Sequence, residues 1–268
     1  MKKLSLGWLV WLNEENMSRR IDMVTQSANS LGILSQDAYQ LLIINNGGLK
    51  ELPFKLPAAA KHIILEENFI DISAYYVPYL HAIENNNPYF GFLYDDFIVY
   101  KDAVRDCIEF LDNNPQISCI RLPEYVTGDK KYNTTYVNKS VNPDAVGHLE
   151  GAGNTKLQQI GPVKVGENSF YISNWRPNSR PTIWRTESYS NFCNLKDSNH
   201  FVMQPYEAKL YSTADKLAVE GKYLSGYLEG GMCRTFSVTT SERTRSSSNF
   251  WLNYTVDVPK LVENYRKS

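Results

Sequence analysis

The sequence has few of the residues that most often build metal clusters or disulfide frameworks. It contains 4 Cys and 4 His in 268 residues, and no two cysteines are spaced as a Cys-x-x-Cys pair. The histidines are scattered and lack the spacing of a zinc-binding helix. The pattern argues against a zinc cluster, a redox dithiol and a disulfide scaffold, and it favours reduced thiols in a cytoplasmic protein.

The sequence also lacks a long apolar run and an excess of charge of either sign. The apolar stretch at residues 4–12 is far shorter than the ~18 residues of a membrane span, and no signal-type cleavage site follows it. With 28 Lys+Arg against 29 Asp+Glu, the formal net charge is -1. Such a charge gives no field for nonspecific nucleic-acid binding. We therefore expect no transmembrane segment and no nucleic-acid partner.

Strands and helices alternate through the first half of the chain. Apolar runs predict strands at residues 4–12, 39–44, 62–65, 89–94 and 118–122. Amphipathic spacing predicts helices between them, at residues 18–34, 72–83 and 101–111. This order predicts an α/β fold with a Rossmann-like, mostly parallel sheet and helices on both faces.

The second half has a different pattern. Residues 126–181 are rich in Gly, Asn, Thr and Lys, which favours antiparallel hairpins with strands at 158–165 and 169–173. Further along, we predict strands at 182–185 and around 232–239, and helices at 204–220 and 258–265. We expect one compact domain with two halves, at residues 1–125 and residues 126–268.

Polar residues follow three of the predicted strands. They are Asn13, the pair Asn45–Asn46 and the pair Asp95–Asp96. Ligands of open α/β sheets bind outside the carboxyl ends of the strands, so these residues form a candidate site. Two adjacent carboxylates after a buried strand suit Mg²⁺ or Mn²⁺. The alternative is an Asp that caps the next turn in solvent.

The order of these motifs resembles the GT-A glycosyltransferases, especially the family-two-like group. That family has an Asn-Arg loop after its first strand, matched by Asn13 with Arg19 and Arg20. Its second strand ends in an Asp-Asn-Gly-Ser-like turn, matched by residues 45–48, Asn-Asn-Gly-Gly. Its acidic DxD motif is matched by residues 94–96, Tyr-Asp-Asp. The three motifs occur in the family's order within residues 4–125. The resemblance implies that the half at residues 1–125 binds the nucleotide sugar and that the half at residues 126–268 binds the acceptor.

The resemblance implies transfer of a sugar from a nucleotide-diphosphate sugar to a hydroxyl of a glycan or glycoconjugate, assisted by Mn²⁺ or Mg²⁺ and inverting. It implies Asp96 as the metal ligand and Glu207 as the catalytic base, with Glu187 and Asp197 as competitors for the base. The residues it implies for donor binding are Asn13, Arg20, Asn45, Asn46, Asp95, Arg243 and Arg245. The two last arginines lie in a Ser/Thr-rich loop that could close over the diphosphate.

The chain departs from the family at several of these positions. Asn45 replaces the family's Asp, Tyr94 replaces the first acid of the DxD motif, and Ala208 replaces a second acid beside Glu207. The C-terminal His that completes many GT-A metal sites has no counterpart in residues 230–237. A retaining reaction, a nucleotidyltransferase and a noncatalytic carbohydrate-binding module therefore stay as alternatives.

Overall fold

The computed structural model describes residues 2–35, 37–69, 71–123, 159–173, 181–192, 200–202, 224–235 and 255–268. Within these ranges the helices are α1 (Met17–Ser30), α2 (Ile72–Glu84), α3 (Val104–Asn113), α4 (Thr186–Phe192) and α5 (Val258–Lys267), and a short 3-10 turn (Leu31–Ile33) follows α1. The strands are β1 (Leu4–Val10), β2 (Tyr39–Asn46), β3 (Lys61–Leu65), β4 (Tyr89–Tyr94), β5 (Phe97–Val99), β6 (Ile117–Arg121), β7 (Gln159–Val165), β8 (Asn168–Ser173), β9 (Thr182–Arg185), β10 (His200–Val202), β11 (Leu224–Leu228), β12 (Cys233–Thr235) and β13 (Thr255–Asp257).

Nine of these strands form one sheet in the order β3-β2-β1-β4-β9-β6-β11-β8-β7. The first four are parallel, β6 and β11 are parallel to each other, and β9 lies antiparallel between β4 and β6. The hairpin of β7 and β8 is antiparallel and closes one end of the sheet. Seven of the nine strands in this sheet therefore run in one direction, and only β8 and β9 run in the other. This confirms the predicted mostly parallel α/β sheet with an antiparallel hairpin in the second half.

Helices cover both faces of this sheet, as the sequence predicted. On one face, Val24 of α1 and Phe110 of α3 belong to the same buried core as Trp8 and the other even-numbered side chains of β1. On the opposite face, α2, α4 and α5 form a second core. A Cβ on Gly7 would lie 2.4 Å from Cγ of Pro78, so α2 lies directly on β1 and only a glycine fits between them.

Some elements differ from the sequence prediction. The second strand extends through Asn45 and Asn46, so these two amides are its last residues and do not belong to the following turn. The short strands β5, β10, β11 and β13, as well as α4, were not predicted. The predicted helix at 204–220 lies outside the described residues, and the division into halves at residue 125 stays a prediction. No helix in the described ranges is both long and apolar enough to cross a bilayer.

A buried polar cluster joins the start of β1 to the end of α2. Oγ of Ser5 lies 2.8 Å from Nδ1 of His81 and accepts a 2.9 Å hydrogen bond from Nδ2 of Asn87. The Ser5 hydroxyl can then donate to Nδ1, which suits a neutral imidazole. Burial lowers the pKa of His81 to about 4; the charge of Lys61 also lowers it, and that of Glu84 opposes the change.

We expect this histidine to make the protein less stable as the pH falls from about 6.5 towards 4. The unfolded chain protonates His81 near its ordinary pKa, whereas the folded chain resists protonation, so the free energy of unfolding decreases in this window. Melting temperatures at pH 7 and pH 5 should differ less in His81→Gln than in the wild type. His62→Gln, at an exposed position of β3, is the control. Equal pH dependence in His81→Gln and the wild type would contradict the assignment.

Candidate functional site

The carboxyl ends of β2, β1 and β4 lie side by side and bring two of the predicted polar motifs together. Asn45 pairs with Val10, and Tyr94 pairs with Leu9 on the other side of β1. The backbone N–H of Asp95 donates to the carbonyl of Leu9 at 3.0 Å. Because neighbouring strands are about 4.8 Å apart, Asn45 and Asp95 lie about 10 Å apart across β1. A ligand at this edge can therefore span the ends of β2 and β4.

Asp95 and Arg20 form an ion pair at the centre of this edge. Nη2 of Arg20 lies 2.6 Å from Oδ1 of Asp95, and the backbone N–H of Trp11 donates to Oδ2 at 3.0 Å. The Arg20 guanidinium also lies over the Trp11 ring, 5.7 Å from its centroid. Asp95 is only 6% exposed. Both oxygens of this carboxylate are therefore used to join α1, β1 and β4.

Asp96 is half-buried in the turn between β4 and β5. Strand β12 lies antiparallel to β5, with Thr235 opposite Phe97 and Cys233 opposite Val99. Burial raises the pKa of the Cys233 thiol well above its usual value, and the charge of Asp96 raises it further. This thiol therefore stays protonated and offers no anionic sulfur ligand beside Asp96.

Asn45 is fixed with its amide in one orientation. Its Nδ2 donates to the carbonyl of Leu49, and this carbonyl can only accept a hydrogen bond. Its Oδ1 is buried and has no hydrogen-bond partner within the described part of the chain. A ligand N–H group could satisfy this acceptor.

Asn46 and Asn13 are held by neighbouring loops. Asn46 accepts a 2.9 Å bond from the N–H of Phe69 and donates to Oδ1 of Asn68 at 2.8 Å. Oδ1 of Asn13 accepts from the N–H of Asn16 at 2.9 Å, and Oδ1 of Asn16 accepts from the N–H of Asn13 at the same distance. The two predicted donor-binding amides thus shape the turns that surround the strand ends.

A cavity of about 340 Å³ lies beside β2 and β3, under the segment that connects them. Parallel strands are usually joined by a helix, but residues 47–60 cross without one. Leu52, Phe54 and Ile64 give the cavity apolar walls, and Asn45 also lines it. A ligand that meets Asn45 therefore finds apolar surface next to the amide.

Several candidates lie away from this edge or outside the described residues. Glu187 is in α4, which begins where Arg185 pairs with Tyr89 at the start of β4. It therefore lies near the opposite edge of the sheet, about 17 Å from the end of β4, and is removed as a candidate base. The remaining candidates, Glu207, Asp197, Arg243 and Arg245, fall outside the described residues.

The residues at this edge fit a divalent cation only in part. Asp96 has a carboxylate that could act as a hard oxygen ligand, whereas Asp95 is already engaged by Arg20 and by the backbone of Trp11. Over the ranges that the structure covers, no three His, Cys, Asp or Glu side chains come together as a metal cluster. A cation here would need ligands from a bound phosphate and water as well as from Asp96.

The role of Trp11 and the pairing of Arg20 with Asp95 were missed by sequence reasoning. Arg20 and Asp95 are separated by 75 positions in the chain. Each was singled out as a donor-binding residue by its motif, but no local pattern indicates that the two contact each other. The position of Trp11 directly after the first strand is a signal that could have drawn attention to it.

Comparisons with known proteins give matches to solved structures. No family model matches the chain, and no curated protein matches it. Residues 1–349 of Staphylococcus aureus TarS match with a TM-score of 0.46 and 12% identity over 88% of this chain and 60% of that one. A candidate nucleotide-diphospho-sugar transferase from Desulfovibrio desulfuricans G20 matches with a TM-score of 0.45 and 12% identity over 98% and 96% of the two chains.

A third match is the mannosyltransferase PcManGT from Pyrobaculum calidifontis, solved with GDP-Man and Mn²⁺. It has a TM-score of 0.44 and 9% identity over 100% of this chain and 65% of that one. The chain thus spans about 60% of the TarS fragment. The second and third of these proteins are named as sugar transferases, and none of the three is described as family two. At such values the matches assign no activity and no residue role to this chain.

Proposed function

We propose that the chain is a glycosyltransferase that moves a sugar from a nucleotide-diphosphate sugar to a hydroxyl of a glycan or glycoconjugate. The observation that carries this proposal is the convergence of Asn45 with Asp95 and Asp96 at one edge of a parallel sheet. Ligands of such sheets bind at this edge. The order of the motifs along the chain supports the same function through its resemblance to GT-A glycosyltransferases.

We place the diphosphate of the donor beside Asp96, together with Mn²⁺ or Mg²⁺. The chemistry that the cation supplies is neutralisation of the charge that builds up on the leaving diphosphate. Asp96 would hold it with one carboxylate, and phosphate and water oxygens would complete the ligand set. Arg243 and Arg245, known only from the sequence, are proposed to add positive charge over the diphosphate.

The nucleotide base is placed next to Asn45. Its Oδ1 can only accept a hydrogen bond, and the Nδ2 of the same amide already donates to the carbonyl of Leu49. A base that presents a ring N–H, as uracil and guanine do, would satisfy that acceptor. The apolar cavity wall formed by Leu52 and Phe54 suits the face of a planar ring.

The transfer step is proposed to be a single displacement with inversion. The acceptor oxygen forms a bond to the anomeric carbon while the bond from that carbon to the diphosphate oxygen breaks. The electron pair of the broken bond stays on the diphosphate, and the acceptor proton passes to the carboxylate of Glu207. This role for Glu207 is based on its position after the strand that carries Arg185 and on the family resemblance.

A thermal-shift screen tests the proposal directly. UDP, GDP, CDP, ADP and the corresponding nucleotide sugars are added with Mn²⁺ or with EDTA. A ligand at about 100 times its Kd stabilises the native state by about 2.7 kcal/mol. For a chain of this size the melting temperature should rise by about 5 °C or more. We expect a metal-dependent rise with UDP or GDP and with its sugar conjugate.

Other outcomes would point to the alternative functions. A rise with a nucleoside triphosphate, together with release of pyrophosphate in the presence of a sugar acid or sugar phosphate, would replace the proposal with a nucleotidyltransferase. No rise with any nucleotide would overturn it and leave a noncatalytic carbohydrate-binding module, which a glycan-binding assay then tests.

A further inference from the structure

We propose that Arg20 is a positioning residue of the donor site, which acts through Asp95 without touching the donor. The inference rests on the proposed function for its effect on binding. The sequence motifs predicted that Arg20 and Asp95 both contact the donor. Their geometry instead points to a role in holding the site in shape.

Asp95 ties the end of β4 to the exit of β1 by two hydrogen bonds on either side of Val10. Its backbone N–H donates to the carbonyl of Leu9 at 3.0 Å, and its Oδ2 accepts from the N–H of Trp11 at 3.0 Å. The side chain thus continues the ladder one residue beyond the paired part of the strand. It fixes the direction in which the chain leaves β1.

Arg20 compensates the negative charge of Asp95, a carboxylate that is almost completely buried. The side chains of Arg20 and Asp95 are 20% and 9% exposed, and their charged atoms are 2.6 Å apart. A buried carboxylate without a cationic partner carries a large desolvation cost. The same guanidinium lies over the Trp11 ring, which adds a cation–π contact to the same turn.

The remaining surface of Arg20 also points to an interior role. Its Nε is buried and has no hydrogen-bond partner among the residues that the structure describes. Because that N–H is buried, it is not presented to a diphosphate at the surface. The positive charge of Arg20 therefore balances Asp95, and the donor's cation is left to Asp96, the next residue along the turn.

A double-mutant cycle separates positioning from direct contact. The variants are Arg20→Met, Asp95→Asn and the double variant, and the readout is the Kd of the nucleoside diphosphate with Mn²⁺ by calorimetry. Asp95 directly precedes the proposed metal ligand Asp96, and loss of a residue that orients a metal ligand typically weakens binding about 10- to 100-fold. We expect each single variant to weaken binding in this range and the double variant to be no weaker than Asp95→Asn. Effects that multiply would mean that Arg20 contacts the donor, and would overturn the inference.

Two further variants guard against a general loss of structure. Arg20→Lys keeps the charge and should recover most of the affinity, whereas Arg19→Met, at the exposed neighbouring position, should bind like the wild type. Hydrogen exchange of a peptide spanning residues 9–16 gives a readout that needs no nucleotide. Faster exchange of the Trp11 amide is expected in Arg20→Met, and unchanged exchange would overturn the inference even if the nucleotide binds.

If the proposed function itself is wrong, the binding experiments would give a different result. In that case the wild type itself would bind no nucleotide with Mn²⁺. The exchange measurement on Trp11 would still decide whether Arg20 and Asp95 hold the turn after β1.

Discussion

Replacing Asp96 with asparagine is expected to lower metal-dependent turnover of the nucleotide sugar by about 100-fold or more. Asparagine has nearly the same size as aspartate but no charge, so the fold should be kept while the attraction for the cation is lost. The charge of Asp95 cannot substitute, because Arg20 already balances it at 2.6 Å. The measurement is the rate at which the nucleoside diphosphate is released across a Mn²⁺ titration, with the melting temperature recorded for each variant.

Asp37→Asn is the matched control for this variant. Asp37 is exposed and lies two residues before β2, so it is at the opposite edge of the sheet. Its ion pair with Arg105 is between exposed side chains and contributes little to stability. The Asp37→Asn variant should therefore keep the turnover of the wild type. Turnover of Asp96→Asn within twofold of the wild type at every Mn²⁺ concentration would remove Asp96 from the metal site.

The elements that form the candidate site were predictable from local sequence. All seven residues of β1 are buried, as expected for a strand inside a parallel sheet with helices on both faces. The same reasoning found β2, β4 and the polar residues at their ends. Strand ends of a parallel sheet meet at one edge, so the position of Asn45 near Asp95 followed from the fold class alone.

The pairing across the middle of the sheet was not predictable in this way. The apolar residues of β9 indicated a strand, but nothing local indicates that it inserts antiparallel between β4 and β6. That placement moves Glu187 to the wrong edge for a catalytic base. The short strand β11 has Gly226 at its centre, where a Cβ would lie only 2.8 Å from the Phe110 ring. Because a glycine weakens the sequence pattern of a strand, β11 was not predicted.

Side-chain roles inside the site depend on contacts that the sequence does not encode locally. The motif marked Asn45 as a donor contact, but its amide orientation is decided by the carbonyl of Leu49 in the next loop. Similarly, Asp95 could have been a ligand or a structural carboxylate. The approach of Arg20 from α1 supports the structural role, because a charge-assisted contact at 2.6 Å engages Oδ1.

Substitution of Gly47 by alanine is expected to lower the free energy of unfolding by about 3 kcal/mol or more, because two penalties add. Gly47 has φ +67°, a left-handed conformation that alanine adopts at a cost. Its Cβ would also lie 2.2 Å from the backbone N of Asn68 and the backbone C of Glu67. Backbone atoms cannot turn away as a flexible side chain can, so the turn after β2 must move. Urea unfolding of the variant and the wild type measures the difference.

Gly32→Ala separates this local strain from the general effect of adding a methyl group. A Cβ on Gly32 would meet no atom within 4 Å, so alanine there should be neutral or stabilise by up to about 1 kcal/mol. Equal unfolding free energies for the two variants would show that the turn at Gly47 is not under the constraint argued for it. If the expected difference is found, Gly47→Ala should also weaken nucleotide binding, because Asn46 and Asn45 directly precede the turn that is displaced.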